Sequence, residues 1–165
     1  MDNRAQKAKE IRDAIQRGDV LGVATLIDDD RDILNMMTPF GTWLHVAATF
    51  GKLEIVKRLV EMGIDVNMRG GTFGGNALNS AASAGHVEVV EYLFSHGAKL
   101  DVSEPERNPL FGAIHGGHLN VAEFLISKGI DQKIKYTGSS MNNMDALAFA
   151  IERGQKEIAT VLRKK

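Results

Sequence analysis

Apolar residues recur along this chain in blocks, and each block follows a glycine. Gly18 leads Val20, Val23, Leu26 and Ile27; Gly51 leads Leu53, Ile55, Val56, Leu59 and Val60; Gly85 leads Val87, Val89, Val90, Leu93 and Phe94. Gly117 does the same with Leu119, Val121, Leu125 and Ile126, and Gly154 with Ile158, Val161 and Leu162. Within a block the apolar positions lie three or four residues apart, which is one stripe of an α-helix. A second, shorter helical pattern built on small residues precedes four of these glycines: Leu44, Ala47, Ala48; Leu78, Ala81, Ala82; Leu110, Ala113, Ile114; and Leu147, Ala150, Ile151. Alanine in that stripe lets neighbouring helices approach closely. The glycine between the two helices suits a left-handed cap, where another residue pays a steric cost of ~1 kcal/mol.

The five glycines are spaced 33, 34, 32 and 37 residues apart. A period of that size marks an array whose units bury their apolar faces only against one another. The residues opening the shorter helices carry a family resemblance. Thr42-Trp43-Leu44-His45-Val46-Ala47-Ala48 resembles the T-P-L-H-x-A-A motif of ankyrin repeats, and drifted copies begin at Asn76, at Asn108 with Pro109, and at Asp145. The four opening residues are all helix N-cap types, so the physical role outlasts the drift. Gly85-His86-Val87-Glu88-Val89-Val90 is similar to the family's second-helix signature, and Gly63-Ile64-Asp65-Val66-Asn67, Gly97-Ala98-Lys99-Leu100-Asp101 and Gly129-Ile130-Asp131 to its repeat ends.

The resemblance implies an all-α fold, an ankyrin-repeat solenoid of stacked helix-turn-helix units joined by β-hairpin-like loops. The expected units are an N-terminal cap over about 4–35, central repeats over 36–67, 68–101 and 102–132, and a C-terminal cap over 133–165. Ile11, Ala14 and Ile15 fill the first-helix columns of the N-terminal unit, while Arg4, Lys7, Lys9, Arg12 and Arg17 make its other face polar. Lys156 and Arg163 stand in columns that are apolar in the central repeats. A solenoid must close its ends with polar faces, so these units read as caps and the array as complete.

Composition narrows the chemistry. Of 165 residues, 44% are hydrophobic and 25% charged, ordinary values for a folded soluble chain. Twenty basic and 21 acidic residues leave a formal net charge of -1, with no overall footprint for nucleic acid or an anionic membrane. The absence of cysteine removes disulfides, thiolate metal sites and cysteine nucleophiles. No apolar run approaches the ~18 residues of a membrane span, and the start of the chain has no apolar leader core. A cytoplasmic location is expected.

Each candidate for chemistry competes with a structural role. His45, His86 and His118 occupy positions where the family uses histidine for local hydrogen bonds, and His96 closes a helix, where the dipole favours imidazole. His115, three residues before His118, has no carboxylate nearby at ligand spacing. Gly70-Gly71-Thr72-Phe73-Gly74-Gly75 lacks the Gly-Lys-Ser/Thr of a phosphate loop and reads as a flexible hairpin tip. Asp28-Asp29-Asp30 reads as a solvated turn, and Arg163-Lys164-Lys165 as a complement to a helix C-terminus.

The family's recognition surface is its hairpin tips and the exposed column of its first helices. That column holds Thr49-Phe50, Ser83-Ala84, His115-Gly116 and Glu152-Arg153. The 12-residue step from Lys133 to Asp145 is the longest connector and carries Tyr136, Met141 and Met144. The expected partner-binding residues are therefore Trp43, Thr49, Phe50, Phe73, Ser83, His115, Tyr136, Met141, Met144, Glu152 and Arg153, with no catalytic residue, metal or cofactor. The function implied is a monomeric, non-enzymatic module that binds another protein. A small chain of degenerate repeats is similar to stand-alone bacterial ankyrin proteins, some of which are immunity proteins, so a toxin or effector is the narrower partner. The alternatives are a small-molecule or metal-binding groove built from His115, His118, Glu152 and Arg153, and an assembly subunit associating through the basic N-terminal face.

Overall fold

The computed structural model describes residues 3–28, 30–138 and 141–164. The readings of Asp29 and Lys165 made above lie outside the described residues. The helical pairs expected from the two stripes are present. The chain runs α1 (Asn3–Arg17), α2 (Val20–Ile27), α3 (Arg31–Leu34), α4 (Trp43–Thr49), α5 (Leu53–Glu61), α6 (Ala77–Ala84), α7 (Val87–Ser95), α8 (Pro109–Gly116) and α9 (Leu119–Ser127). It ends with β1 (Tyr136–Gly138), β2 (Met141–Met144), α10 (Ala146–Glu152) and α11 (Lys156–Arg163).

The helices stack in two rows. In one, α1, α4, α6, α8 and α10 pack in sequence; in the other, α2, α5, α7, α9 and α11. Equivalent residues of successive repeats fill the core, with Leu44, Leu78 and Leu110 buried in the first row and Leu59, Leu93 and Leu125 in the second. The expected N-caps form. The side chains of Asn76, Asn108 and Asp145 accept from the backbone N–H groups of Asn79, Leu110 and Ala148 at 2.9–3.1 Å. Asp30 does likewise for Asp32 and Ile33 at 3.0 Å, so part of the acidic run caps a short helix that its sequence did not signal.

Histidines tie each repeat to the one before. Nε2–H of His86 donates to the Thr49 carbonyl at 3.0 Å, and that of His118 to the Ser83 carbonyl at 3.1 Å. The imidazoles thereby occupy the space above the interhelix glycines. A Cβ on Gly51 or Gly85 would lie 2.5 Å from Nδ1 of His86 or His118, and both glycines have φ near the left-handed region, at +63° and +82°.

The connectors are more structured than their composition suggests. Thr38 and Gly41 form one β-bridge, and Gly70 and Gly75 another. The glycine-rich stretch is thus a closed turn, and Gly70, Gly71 and Gly75 serve close approach. A Cβ on Gly70 would lie 2.9 Å from the Cα of Gly41, so the two fingers touch backbone to backbone. The long last connector forms an antiparallel ladder in which Tyr136 pairs with Met144 and Gly138 with Met141.

Candidate functional site

The face made by the first helices and the fingers contains a groove of about 530 Å³ that crosses three repeats. Gln16 comes from α1, Thr49 and Phe50 from α4, and Ser80, Ser83 and Ala84 from α6; the Gly70–Gly75 turn forms one wall. The amino-acid pattern explains its depth. The columns that present Val46 and Phe50 on α4 present Ser80 and Ala84 on α6, so small side chains form a floor between larger ones. Phe40, Phe50 and Phe73 line the groove and remain 57%, 42% and 61% exposed. Clustered exposed rings on a face are unusual for a surface with no contact to make.

Thr49, Phe50, Phe73 and Ser83 of the expected binding residues therefore meet in one place. His115, Glu152 and Arg153 are exposed further along the stack, outside the groove, with the Arg153 guanidinium 5.1 Å from the Phe149 ring centroid. Two expectations need correction. Trp43 is 1% exposed, with its indole N–H donating to the Ile33 carbonyl at 2.7 Å, so it is a core residue and offers no contact surface. Tyr136 is 8% exposed: its hydroxyl donates to the Val102 carbonyl at 2.6 Å and accepts from Asn108 Nδ2 at 3.0 Å. Its ring meets Phe111 edge to face at 4.9 Å. Met141 and Met144 are half-buried against the core, held there by the β1–β2 pairing. Burial pushes the Tyr136 phenol up, with the Asn108 hydrogen bond opposing it, so the hydroxyl stays neutral.

Sequence reasoning missed Phe40, Arg12 and Asn79. Pro39-Phe40-Gly41 reads as a turn, and Arg12 as one of a solvated face; only the fold brings both to the groove, where the Arg12 guanidinium sits 5.9 Å from the Phe40 ring centroid. Asn79 stands where the preceding repeat has His45. His45 is fully engaged: Nδ1 accepts from the Thr42 N–H at 3.2 Å and Nε2–H donates to the Gly75 carbonyl at 3.0 Å. Burial pushes its pKa down, against the upward pull of the Gly75 carbonyl, and the ring is neutral. Asn79 donates through Nδ2 to the Glu106 carbonyl at 3.0 Å, while its buried Oδ1 has no partner among the described residues.

The fingers beyond the groove are bound to one another. Asn67 Nδ2 donates to the Gly97 carbonyl and its Oδ1 accepts from Lys99 N–H, both at 2.9 Å. Arg69 pairs with Asp101, and Arg107 Nε lies 3.4 Å from the same carboxylate. Desolvation works against the Asp101 charge, but the Ser103 hydroxyl and N–H and the Arg69 guanidinium outweigh it and hold the pKa at about 2. Of the metal alternative's residues, His118 is committed through Nε2 to the Ser83 carbonyl. Among the described residues no three His, Asp or Glu side chains gather in a metal-binding group.

A family model described as ankyrin repeats, in three copies, matches residues 11–104. The chain belongs to the ankyrin-repeat family. It is 27% identical over 157 residues to the palmitoyltransferase AKR1 of Lachancea kluyveri, covering 91% of this chain and 21% of that protein. It is 36% identical over 95 residues to mouse protein phosphatase 1 regulatory subunit 27, covering 57% and 61% respectively. It is 33% identical over 94 residues to the rat ankyrin repeat and SAM domain-containing protein 6, covering 56% and 11%. The chain thus spans from about a tenth to about three fifths of these relatives. Ankyrin repeats indicate a protein–protein interaction module. No helix among the described residues is long and apolar enough to cross a membrane.

Proposed function

We propose that this ankyrin domain is a non-enzymatic, cytoplasmic binding module that engages another protein through the groove between its first helices and its fingers. The observation that carries this reading is the set of three exposed rings, Phe40, Phe50 and Phe73, gathered around one recess. Folding alone gives no reason to leave them in water, and truncating large aromatic residues at a protein interface typically costs the most binding energy. Exposed His115, Glu152 and Arg153 would extend the contact along the stack. The likeness to a protein phosphatase 1 regulatory subunit supports a binding role; the palmitoyltransferase among these relatives is matched over only 21% of its length.

The test is site-specific photo-crosslinking in the source cells. A crosslinking amino acid at Phe73 or Ser83 should trap a partner protein, and one at the exposed Glu88 of α7, in the other helix row, should not. Trapping only at Glu88, or nowhere, would overturn the reading. The narrower immunity role has its own test: co-expression should rescue cells from a toxin encoded beside the gene.

A further inference from the structure

Three observations bear on what the groove selects, given that this face binds protein. The first is charge. Among the described lining residues, Arg12 is the one ionisable side chain, and no carboxylate lines the recess. Arg12 reaches Asp13 only through Nε, at 4.0 Å, and both side chains remain 39% exposed. A cation beside apolar walls attracts an anionic partner group more strongly than one in open water. The second is shape. A volume of about 530 Å³ lies within the ~300–1,000 Å³ of recesses that engulf a ligand, and the rings edge a depression floored by Ser80, Ser83 and Ala84. The third is an unspent acceptor. Asn79 lines the groove, is only 6% exposed, and has no donor for Oδ1 among the described residues, whereas His45 in the same column of the preceding repeat uses both ring nitrogens. Buried acceptors are normally paired, so this one points to a donor that arrives with a ligand.

We infer that the groove holds an extended segment of the partner in which an apolar side chain, leucine, methionine or phenylalanine, lies within a few residues of an aspartate or glutamate. The apolar side chain sits between Phe40, Phe50 and Phe73. The carboxylate pairs with Arg12, and an N–H of the segment supplies the donor for Asn79 Oδ1. This inference rests on the protein-binding reading above and goes beyond it by naming the chemistry recognised.

The test selects a displayed library of random peptides on the full chain. Enriched sequences are then made as peptides acetylated and amidated at their ends, so that only side chains can supply the carboxylate. An apolar residue with an acidic neighbour should be enriched. Replacing the peptide's apolar residue by alanine, or its acid by lysine, should weaken binding about tenfold or more, the loss expected of a hot-spot contact. Arg12→Glu should reverse the acid-over-lysine preference, Arg12→Gln should abolish it, and Phe73→Ala should weaken every selected peptide; circular dichroism confirms that each variant is folded. Enriched peptides without an acid, or binding indifferent to Arg12→Glu and Phe73→Ala, would overturn the inference. So would phosphatidylcholine–phosphatidylserine vesicles that cosediment with the protein in a Phe73-dependent way, since the rings would then serve a membrane. If no peptide is enriched while crosslinks still form at Phe73 and Ser83, this inference fails and the binding-module reading stands; if neither occurs, both fail.

Discussion

The side chain of Asn108 donates to the hydroxyl of Tyr136 at 3.0 Å, joining the cap of α8 to the connector that precedes α10. Both residues are buried, and the phenol passes the chain on to the Val102 carbonyl. Tyr136→Phe keeps the ring on Phe111 but strands the Asn108 amide and the carbonyl. Urea denaturation should show a loss of ~1–3 kcal/mol, the cost of buried polar groups left unpaired, with peptide binding unchanged. Unaltered stability would mean that water replaces the hydroxyl there.

Core and finger should separate cleanly. Leu93 is fully buried in the second row, and Leu93→Ala should cost ~2–5 kcal/mol. Phe73 is 61% exposed, and Phe73→Ala should change stability by no more than ~0.5 kcal/mol while weakening binding in the groove. Equal shifts in melting temperature would contradict the assignment of core and tip.

Acid should weaken the fold in two separate windows. Burial lowers the His45 pKa from its ordinary 6.5, so the unfolded chain takes up a proton first. The stability from the neutral ring is present above pH 6.5 and is lost as pH falls through 6.5 toward the folded value. His45→Asn, which installs the residue of the next repeat, should flatten the urea midpoint between about pH 7 and 5. Asp101, held at about 2 against an ordinary 3.8, contributes above 3.8 and loses that contribution as pH falls toward 2. Asp101→Asn should remove the second decline only. Identical pH profiles for wild type and both variants would assign the acid sensitivity elsewhere.

Two glycines with nearly the same backbone angle should respond differently to alanine. Gly85 and Gly97 have φ of +82° and +89°, but a Cβ at Gly85 meets the His118 ring whereas one at Gly97 meets nothing within 4 Å among the described residues. Gly97→Ala should cost the conformational term alone, ~1–2 kcal/mol. Gly85→Ala should cost more, because it also displaces the imidazole from the Ser83 carbonyl. Thermal unfolding of the pair decides it; equal losses would show that the ring moves aside freely.

The repeat was legible because its period is local: glycine, stripe and cap recur within a few residues of one another, and each does its physical job within its own unit. The errors have the opposite character. Trp43 stands where the family motif has proline and reads equally as a contact or as a packing residue; the carbonyl that accepts its N–H belongs to Ile33 in α3, a four-residue helix too short to show periodicity. Tyr136 finds its acceptor 34 residues earlier, at Val102, a distance no window captures. That Phe50 and Phe73 line the groove is legible because their columns or loops are exposed in any such stack. Phe40 was missed because a ring in a turn carries no sign of whether a neighbouring finger will cover it. Arg12 reads as solvation, and it is the packing of α1 on α4 that sets it beside Phe40.

The bare contact of Gly70 on Gly41 has a kinetic side. Because backbone meets backbone at that point, with the Met37 side chain packed beside it, the wall of the groove stands before any partner arrives, and the cost of ordering falls on the visiting segment. Variants lining such a site should therefore differ mainly in how long the segment stays, with much smaller differences in how fast it lands.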